Sequence, residues 1–172
     1  KMSNVQKAEG KLGVLVVGLG AVSSTFMTGV LMARKGLTKP VGSMTQYDKM
    51  RVGKGADKKY LKYDQIVSMA SLDDIVFGAW DVYPDNAYES AIRCEVLKEK
   101  DINPVKDELE AIVPMKAAFD HNYAKRLNGE NVKTCKDRWD MTEQLRQDIR
   151  DFKAKTGVNR VVVLWASSTE VY

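Results

Sequence analysis

Leu12–Lys35 reads LGVLVVGLGAVSSTFMTGVLMARK and decides the fold. Its first six residues, Leu12–Val17, form an unbroken aliphatic run rich in valine, the composition of a strand buried on both faces of a parallel sheet. Gly18-Leu19-Gly20 then interrupts the run. From Ser23 to Arg34 there is no proline, Phe26, Val30 and Ala33 recur at helical spacing, and Gly36 stands where a helix would stop. The order strand, glycine turn, helix is that of a dinucleotide-binding unit. There the glycines let the backbone turn tightly beside a pyrophosphate, which rests on the unpaired N–H groups of the helix start. The pattern is G-x-G-x-x-S, with Ser23 at the third glycine position, and a turn that binds nothing can carry the same residues. The stretch alone leaves both readings open.

Lys1, Lys7 and Lys11 precede this apolar segment, as they would in a secretory leader. Against that reading, glycines and Ser23-Ser24-Thr25 interrupt the apolar run, and Arg34-Lys35 follow it without a small-residue cleavage site. The same interruptions argue against a membrane span. Hydrophobic residues make up 44% and charged residues 29% of the 172, the balance of one ordinary soluble domain. Cys94 and Cys135 are too few for a disulfide framework, which predicts a reducing, cytoplasmic setting. A lone histidine, His121, predicts no histidine-rich metal centre and reads as a structural hydrogen-bonder. The net charge of +4 suits anionic ligands in general and is too small to point to nucleic acid.

Along the chain, residues 1–11 predict a loose terminus. Residues 36–71 form a long polar connection with Pro40, Gly42, Gly53, Gly55 and the basic run Lys49–Lys54, and predict an irregular loop with solvated lysines. Ile75–Trp80 predicts a second buried strand, with Asp81 at its carboxyl end. An acid there either accepts hydrogen bonds from an adenosine ribose or caps the next helix. The gap from Gly20 exceeds the usual 20 or so residues of the ribose arrangement, which favours the cap. Asp85–Lys100 predicts a helix with Ala87, Ala91, Cys94 and Leu97 on one face, and 105–112 a further helical stretch. Phe119–Tyr123 predicts a short ordered segment, and Gly129 with Asn131 a turn. Residues 138–155 give the clearest helix, its apolar side marked by Trp139, Met141, Leu145, Ile149 and Phe152. Arg160–Trp165 predicts a third buried strand, ending in Ala166-Ser167-Ser168-Thr169 where open α/β sheets bind ligands. The fold class is therefore α/β, Rossmann-like and doubly wound, with a mainly parallel sheet and helices on both faces.

Five segments then carry a specific resemblance: Gly18–Ala21, Gly42–Gln46, Val76–Asp81, Asp85–Glu89 and Val163–Glu170. Their order and approximate spacing resemble those of myo-inositol-1-phosphate synthases. Arg138-Trp139 with Leu145–Ile149 resembles that family's helix before the third strand, and the likeness covers 12–172. It implies that 12–172 is the amino-terminal, NAD-binding part of an isomerase. That enzyme converts glucose 6-phosphate into an inositol phosphate by oxidation, enolisation, intramolecular aldol cyclisation and reduction. It also implies a cytoplasmic homo-oligomer, a tetramer in the family, serving inositol and phospholipid biosynthesis. Charge and hydropathy predict no nucleic-acid and no membrane partner, and no metal-binding residue is assigned.

Carried over residue by residue, the resemblance assigns Gly18, Gly20, Ala21, Val22 and Ser23 to the pyrophosphate turn. Asp81 goes to the adenosine ribose, in place of the cap, and Ala166, Ser167, Ser168 and Thr169 go to the cofactor at the third strand. A looser match brings Met115, Lys116 and Arg126 towards the dinucleotide. No catalytic residue is assigned, because the family's lysines correspond to positions beyond Tyr172, and without them the resemblance implies a sheet incomplete relative to the family. Ala21, Val22, Ser23 and Ser168 depart from the family's glycine and asparagines, and Ala79 from a Gly-Gly-Trp-Asp run. A non-catalytic nucleotide-binding or interaction module of the same fold is the alternative reading.

Overall fold

The computed structural model describes residues 9–122, 124–125 and 127–167. Strand β1 (Leu12–Val17) lies inside a four-stranded sheet of order β5-β4-β1-β6, with β4 at Ile75–Asp81, β5 at Met115–Lys116 and β6 at Arg160–Trp165. All three pairings are parallel, and Leu12 stands level with Ile75 on one side and Arg160 on the other. Helix α1 (Ala21–Arg34) follows β1, and α3 (Ala87–Cys94), α4 (Glu99–Ile102) and α5 (Lys106–Glu110) follow β4. Together they cover one face, where Val14, Val16, Phe77 and Ala79 of the strands meet Met27, Leu31, Ala87, Ala91, Ile102, Val105 and Leu109. Phe26 and Phe77 meet edge to face at 5.3 Å. Helix α6 (Arg138–Thr156) covers the opposite face, with Phe152 over Gly13 and Gly78 beside the fully buried Leu15.

Several boundaries follow from local chemistry. Asn86 and Glu89 form a reciprocal capping box at the start of α3, with two side chain–backbone bonds of 2.9 Å. Asp137 caps α6 by accepting from the Asp140 N–H at 2.8 Å, and Gly157, at φ +68°, ends it. Arg34, at the far end of α1, ties that helix to the base of β4. Its Nε donates to Leu72 O at 2.6 Å and its Nη2 to Ile75 O. Burial pushes this guanidinium below its usual pKa, with Asp73 and Asp74 opposing the shift.

The structure corrects the sequence reading in five places. The deepest stripe of α1 is Ser23, Ser24, Met27, Thr28 and Leu31, while Phe26 and Val30 pack at its margin. The hydroxyls of the stripe are satisfied within the helix turn, Ser24 Oγ donating to Gly20 O at 2.9 Å and Thr28 Oγ1 to Ser24 O at 2.7 Å. The connection at 36–71 contains a short helix, α2 (Met44–Tyr47), and an antiparallel ribbon of β2 (Lys49–Val52) and β3 (Lys59–Lys62). The helix expected over 85–100 stops at Cys94, because Glu95 takes the left-handed conformation at φ +53°, and a separate α4 follows. Trp139, expected on the apolar side of α6, lies in the first turn of that helix and is 71% exposed. Strand β6, expected to be buried, is an edge strand exposed at five of its six positions, because no described element covers it.

Gly78 sets a packing limit on the α6 face. A Cβ there would lie 2.6 Å from Leu15 Cδ2 and 2.8 Å from Phe152 Cε2. A Gly78→Ala variant is expected to lose about 1–3 kcal/mol of stability in urea unfolding. Phe152→Leu in the same chain should return part of that loss, and no recovery would mean that the two side chains do not share the space.

Candidate functional site

The glycine turn is held from three directions. Gly18 N–H donates to Trp80 O at 2.8 Å, so β4 braces the turn from one side. Ser167 Oγ donates to Val17 O at 3.0 Å and Ala166 N–H to the same carbonyl at 2.9 Å, so the end of β6 braces it from the other. Below, the buried Ser90 of α3 donates its hydroxyl to Leu19 O. Gly18 has φ +97°, and a Cβ there would lie 2.8 Å from the Ser167 Cα. Only glycine fits that conformation and that approach. Ser23 Oγ donates back to Gly18 O at 2.6 Å, which makes the third position of the pattern a brace of the turn.

Helix α1 starts at Gly20 with no side-chain cap and no acidic residue in its first turn. Among the described residues no acceptor meets the N–H groups of Ala21, Val22 and Ser23. The space beside Gly20 is open to at least 4 Å, and Val22 points outward. A 14-residue helix therefore presents its positive end and free donors to an open surface at the carboxyl edge of the sheet, which suits a phosphate group.

Asp81 ends β4 next to this turn. Its Oδ2 accepts from Leu19 N–H and its Oδ1 from Tyr83 N–H at 2.9 Å. It does not cap the following helix, a role that Asn86 fills. A carboxylate has about four acceptor sites, so two bonds leave capacity for hydroxyl donors. Met115 and Lys116 stand level with Trp80 and Asp81 in the neighbouring strand β5. Beyond the end of β4 a cavity of about 450 Å³ is lined by Tyr83, Pro84, His121, Asn128, Gly129 and Glu130. His121 meets Phe119 edge to face at 4.9 Å in the same region.

The structure thus gathers Gly18, Gly20, Ala21, Val22, Ser23, Asp81, Met115, Lys116, Ala166 and Ser167 at one edge of the sheet. Arg126, Ser168 and Thr169 lie outside the described residues, as do residues 1–8 of the expected loose terminus and Tyr123. Lys11 is pinned, since it exchanges bonds with Asn159 at 3.1 and 2.9 Å. The sequence reading missed Ser90, Asn131, Lys133 and Asp148. Lys133 Nζ pairs with Asp148 Oδ2 at 2.7 Å, and the same oxygen accepts from Trp80 Nε1 at 2.7 Å. Only the Asn131 turn carried a local signal; the other three join segments far apart in the chain. Among the described residues no helix is long and apolar enough to cross a membrane, and no group of three or more histidine, cysteine or acidic side chains could hold a metal.

Comparison with known proteins agrees with this arrangement. Residues 12–172 match the NAD-binding family model described as myo-inositol-1-phosphate synthase. The chain is 60% identical to inositol-3-phosphate synthase 1 of Bacteroides thetaiotaomicron over 98% of its own length and 39% of that protein. It is 32% identical to inositol-3-phosphate synthase 1 of Oryza sativa, covering 94% of this chain and 35% of the rice protein. The crystal structure of inositol-3-phosphate synthase from Caenorhabditis elegans superposes with a TM-score of 0.79 at 25% identity, over 94% of this chain and 35% of that one. The chain therefore spans less than two-fifths of the length of these relatives. With its parallel sheet, its glycine turn and a matching model over nearly its whole length, this chain belongs to the myo-inositol-1-phosphate synthase family, to the part that binds NAD.

Proposed function

We propose that this chain is the NAD-holding part of an inositol-3-phosphate synthase, a protein that converts glucose 6-phosphate into an inositol phosphate. The observation that carries the reading is Asp81, bonded through one carboxylate to the glycine turn and to the loop after β4, next to an uncapped helix start. In this arrangement the N–H groups of Ala21, Val22 and Ser23 receive the pyrophosphate, and Asp81 receives the hydroxyls of the adenosine ribose. Tyr83 and His121 line the cavity beyond β4, on the adenosine side. The end of β6, with Ala166 and Ser167, flanks the cofactor on the side away from β4, while Met115 and Lys116 close the adenosine side; Ser168, Thr169 and Arg126 join the proposed cofactor contacts on the family resemblance alone. NAD, when bound, supplies a hydride acceptor that is restored within each turnover.

The cations that hold the sugar phosphate and stabilise the developing enolate belong, on this reading, to the remainder of the longer protein. The same remainder covers β6, whose Val162, Val163, Leu164 and Trp165 are all exposed, Trp165 at 70%. An apolar edge strand of that kind is a liability unless something packs on it. The whole protein is proposed to be a cytoplasmic homo-oligomer whose product feeds inositol phospholipids.

Calorimetric titration with NAD, and separately with its 2′-phosphorylated form, tests the reading. A carboxylate at the ribose edge repels a 2′-phosphate, so NAD is expected to bind about a hundredfold more tightly. Equal affinity for the two, or binding of neither, would overturn it.

A further inference from the structure

Residues 129–133 run alongside the carboxyl ends of β4 and β5 and are tied to both. Asn131 N–H donates to Val82 O at 2.9 Å, Ala117 N–H donates to Asn131 O at 2.9 Å, and Lys133 N–H donates to Ala117 O at 2.9 Å. Gly129 permits the approach, since a Cβ on it would lie 2.4 Å from Val82 O. The Asn131 side chain then closes the end of the sheet. Its Nδ2 donates to Asp81 O at 2.9 Å and to Met115 O at 3.3 Å, two carbonyls on adjacent strands where the ladder stops. One amide nitrogen carries two N–H donors, so it can serve both.

The consequence reaches the carboxylate. Asn131 holds the carbonyls of Asp81 and Val82, and Asp81 holds the N–H of Tyr83, so three backbone groups between Asp81 and Tyr83 are fixed by two side chains and one main chain. We propose that Asn131 is a positioning residue for the cofactor site: its side-chain amide fixes the peptide after Asp81 and so aims the Asp81 carboxylate at the ribose and at Leu19 N–H. This rests on the assignment of Asp81 to the ribose. Without the amide, two partly buried carbonyls lose their donor and the Val82–Tyr83 turn loosens. The carboxylate then spreads over other rotamers, and the discrimination between a 2′-hydroxyl and a 2′-phosphate falls.

The test uses the full-length protein that carries this chain. Asn131→Leu keeps the branched shape and removes both donors; Asn131→Ser keeps one donor and is the milder variant should the first fail to fold. Dissociation constants for NAD and for its 2′-phosphorylated form are measured beside those of the parent and of Asp81→Ala. Asn131→Leu is expected to bind NAD about tenfold more weakly without weakening the 2′-phosphorylated form, so that the ratio of the two narrows, with Asn131→Ser in between. A merely structural role would weaken both nucleotides alike and leave the ratio where it was, which would overturn the proposal. If Asp81→Ala also leaves the ratio unchanged, the ribose assignment fails; if Asp81→Ala narrows it and both Asn131 variants do not, the positioning role alone fails.

Discussion

An Asp81→Ala variant is expected to bind NAD between about tenfold and a hundredfold more weakly than the parent and to lose most of its preference over the 2′-phosphorylated form. Two effects add in the same direction. Hydrogen bonds to a charged acceptor contribute about 1.5–3 kcal/mol, more than neutral ones, and the ribose would lose them outright. The same substitution leaves the N–H groups of Leu19 and Tyr83 without their acceptor, so the glycine turn that cradles the pyrophosphate is also less well fixed. Asp81→Asn separates the two. It keeps the size and one acceptor oxygen but removes the charge, so it should retain more NAD affinity than Asp81→Ala while still admitting the 2′-phosphate. If calorimetry shows NAD affinity unchanged in Asp81→Ala, the carboxylate does not hold the ribose.

The second large effect concerns stability. Asp148→Ala is expected to cost about 1–3 kcal/mol, read as a fall in the urea midpoint. The Lys133 side chain is only 8% exposed, and its ammonium would be left without a counter-charge. Trp80, itself 4% exposed, would lose the acceptor of its indole N–H. Removing one member of a partly buried pair leaves the desolvation cost of the other, whereas removing both does not. Lys133→Met together with Asp148→Leu should therefore recover the part due to the unpaired ammonium, while the Trp80 N–H stays without its acceptor. A double variant as unstable as Asp148→Ala would mean that the helix packing, rather than the charge, had been damaged.

The sheet centre was legible in the sequence because its signals are local. Leu12–Val17 and Ile75–Trp80 are uninterrupted apolar runs, Gly18 and Gly20 stand where the turn needs them, and the four-residue spacing from Met141 to Ile149 marks α6. Other features escaped for physical reasons. Serine and threonine score as polar, so the stripe through Ser24 and Thr28 did not look like a buried face, although helix carbonyls satisfy both hydroxyls. Arg160–Trp165 has the composition of a buried strand, but burial is set by what lies beside a strand, and nothing local carries that information. Asn131 read as a turn residue because its partner Asp81 is 50 positions away and leaves no periodic trace. Asp81 was legible only as one of two roles, and its position beside Leu19 supplies the contact that excludes the helix cap.

The β2–β3 ribbon has a consequence for how the chain can be cut. Lys49, Arg51, Lys54, Lys58, Lys59 and Lys62 are all exposed on it, and a lone two-stranded ribbon is only marginally stable in water. Trypsin, which needs a locally opened basic segment, should find its first cleavage there. The nick would fall between α1 and β4 in the chain, yet β1 and β4 lie side by side in the sheet, joined by a six-residue parallel ladder. The two pieces should therefore stay together through the sheet after the peptide link between them is gone.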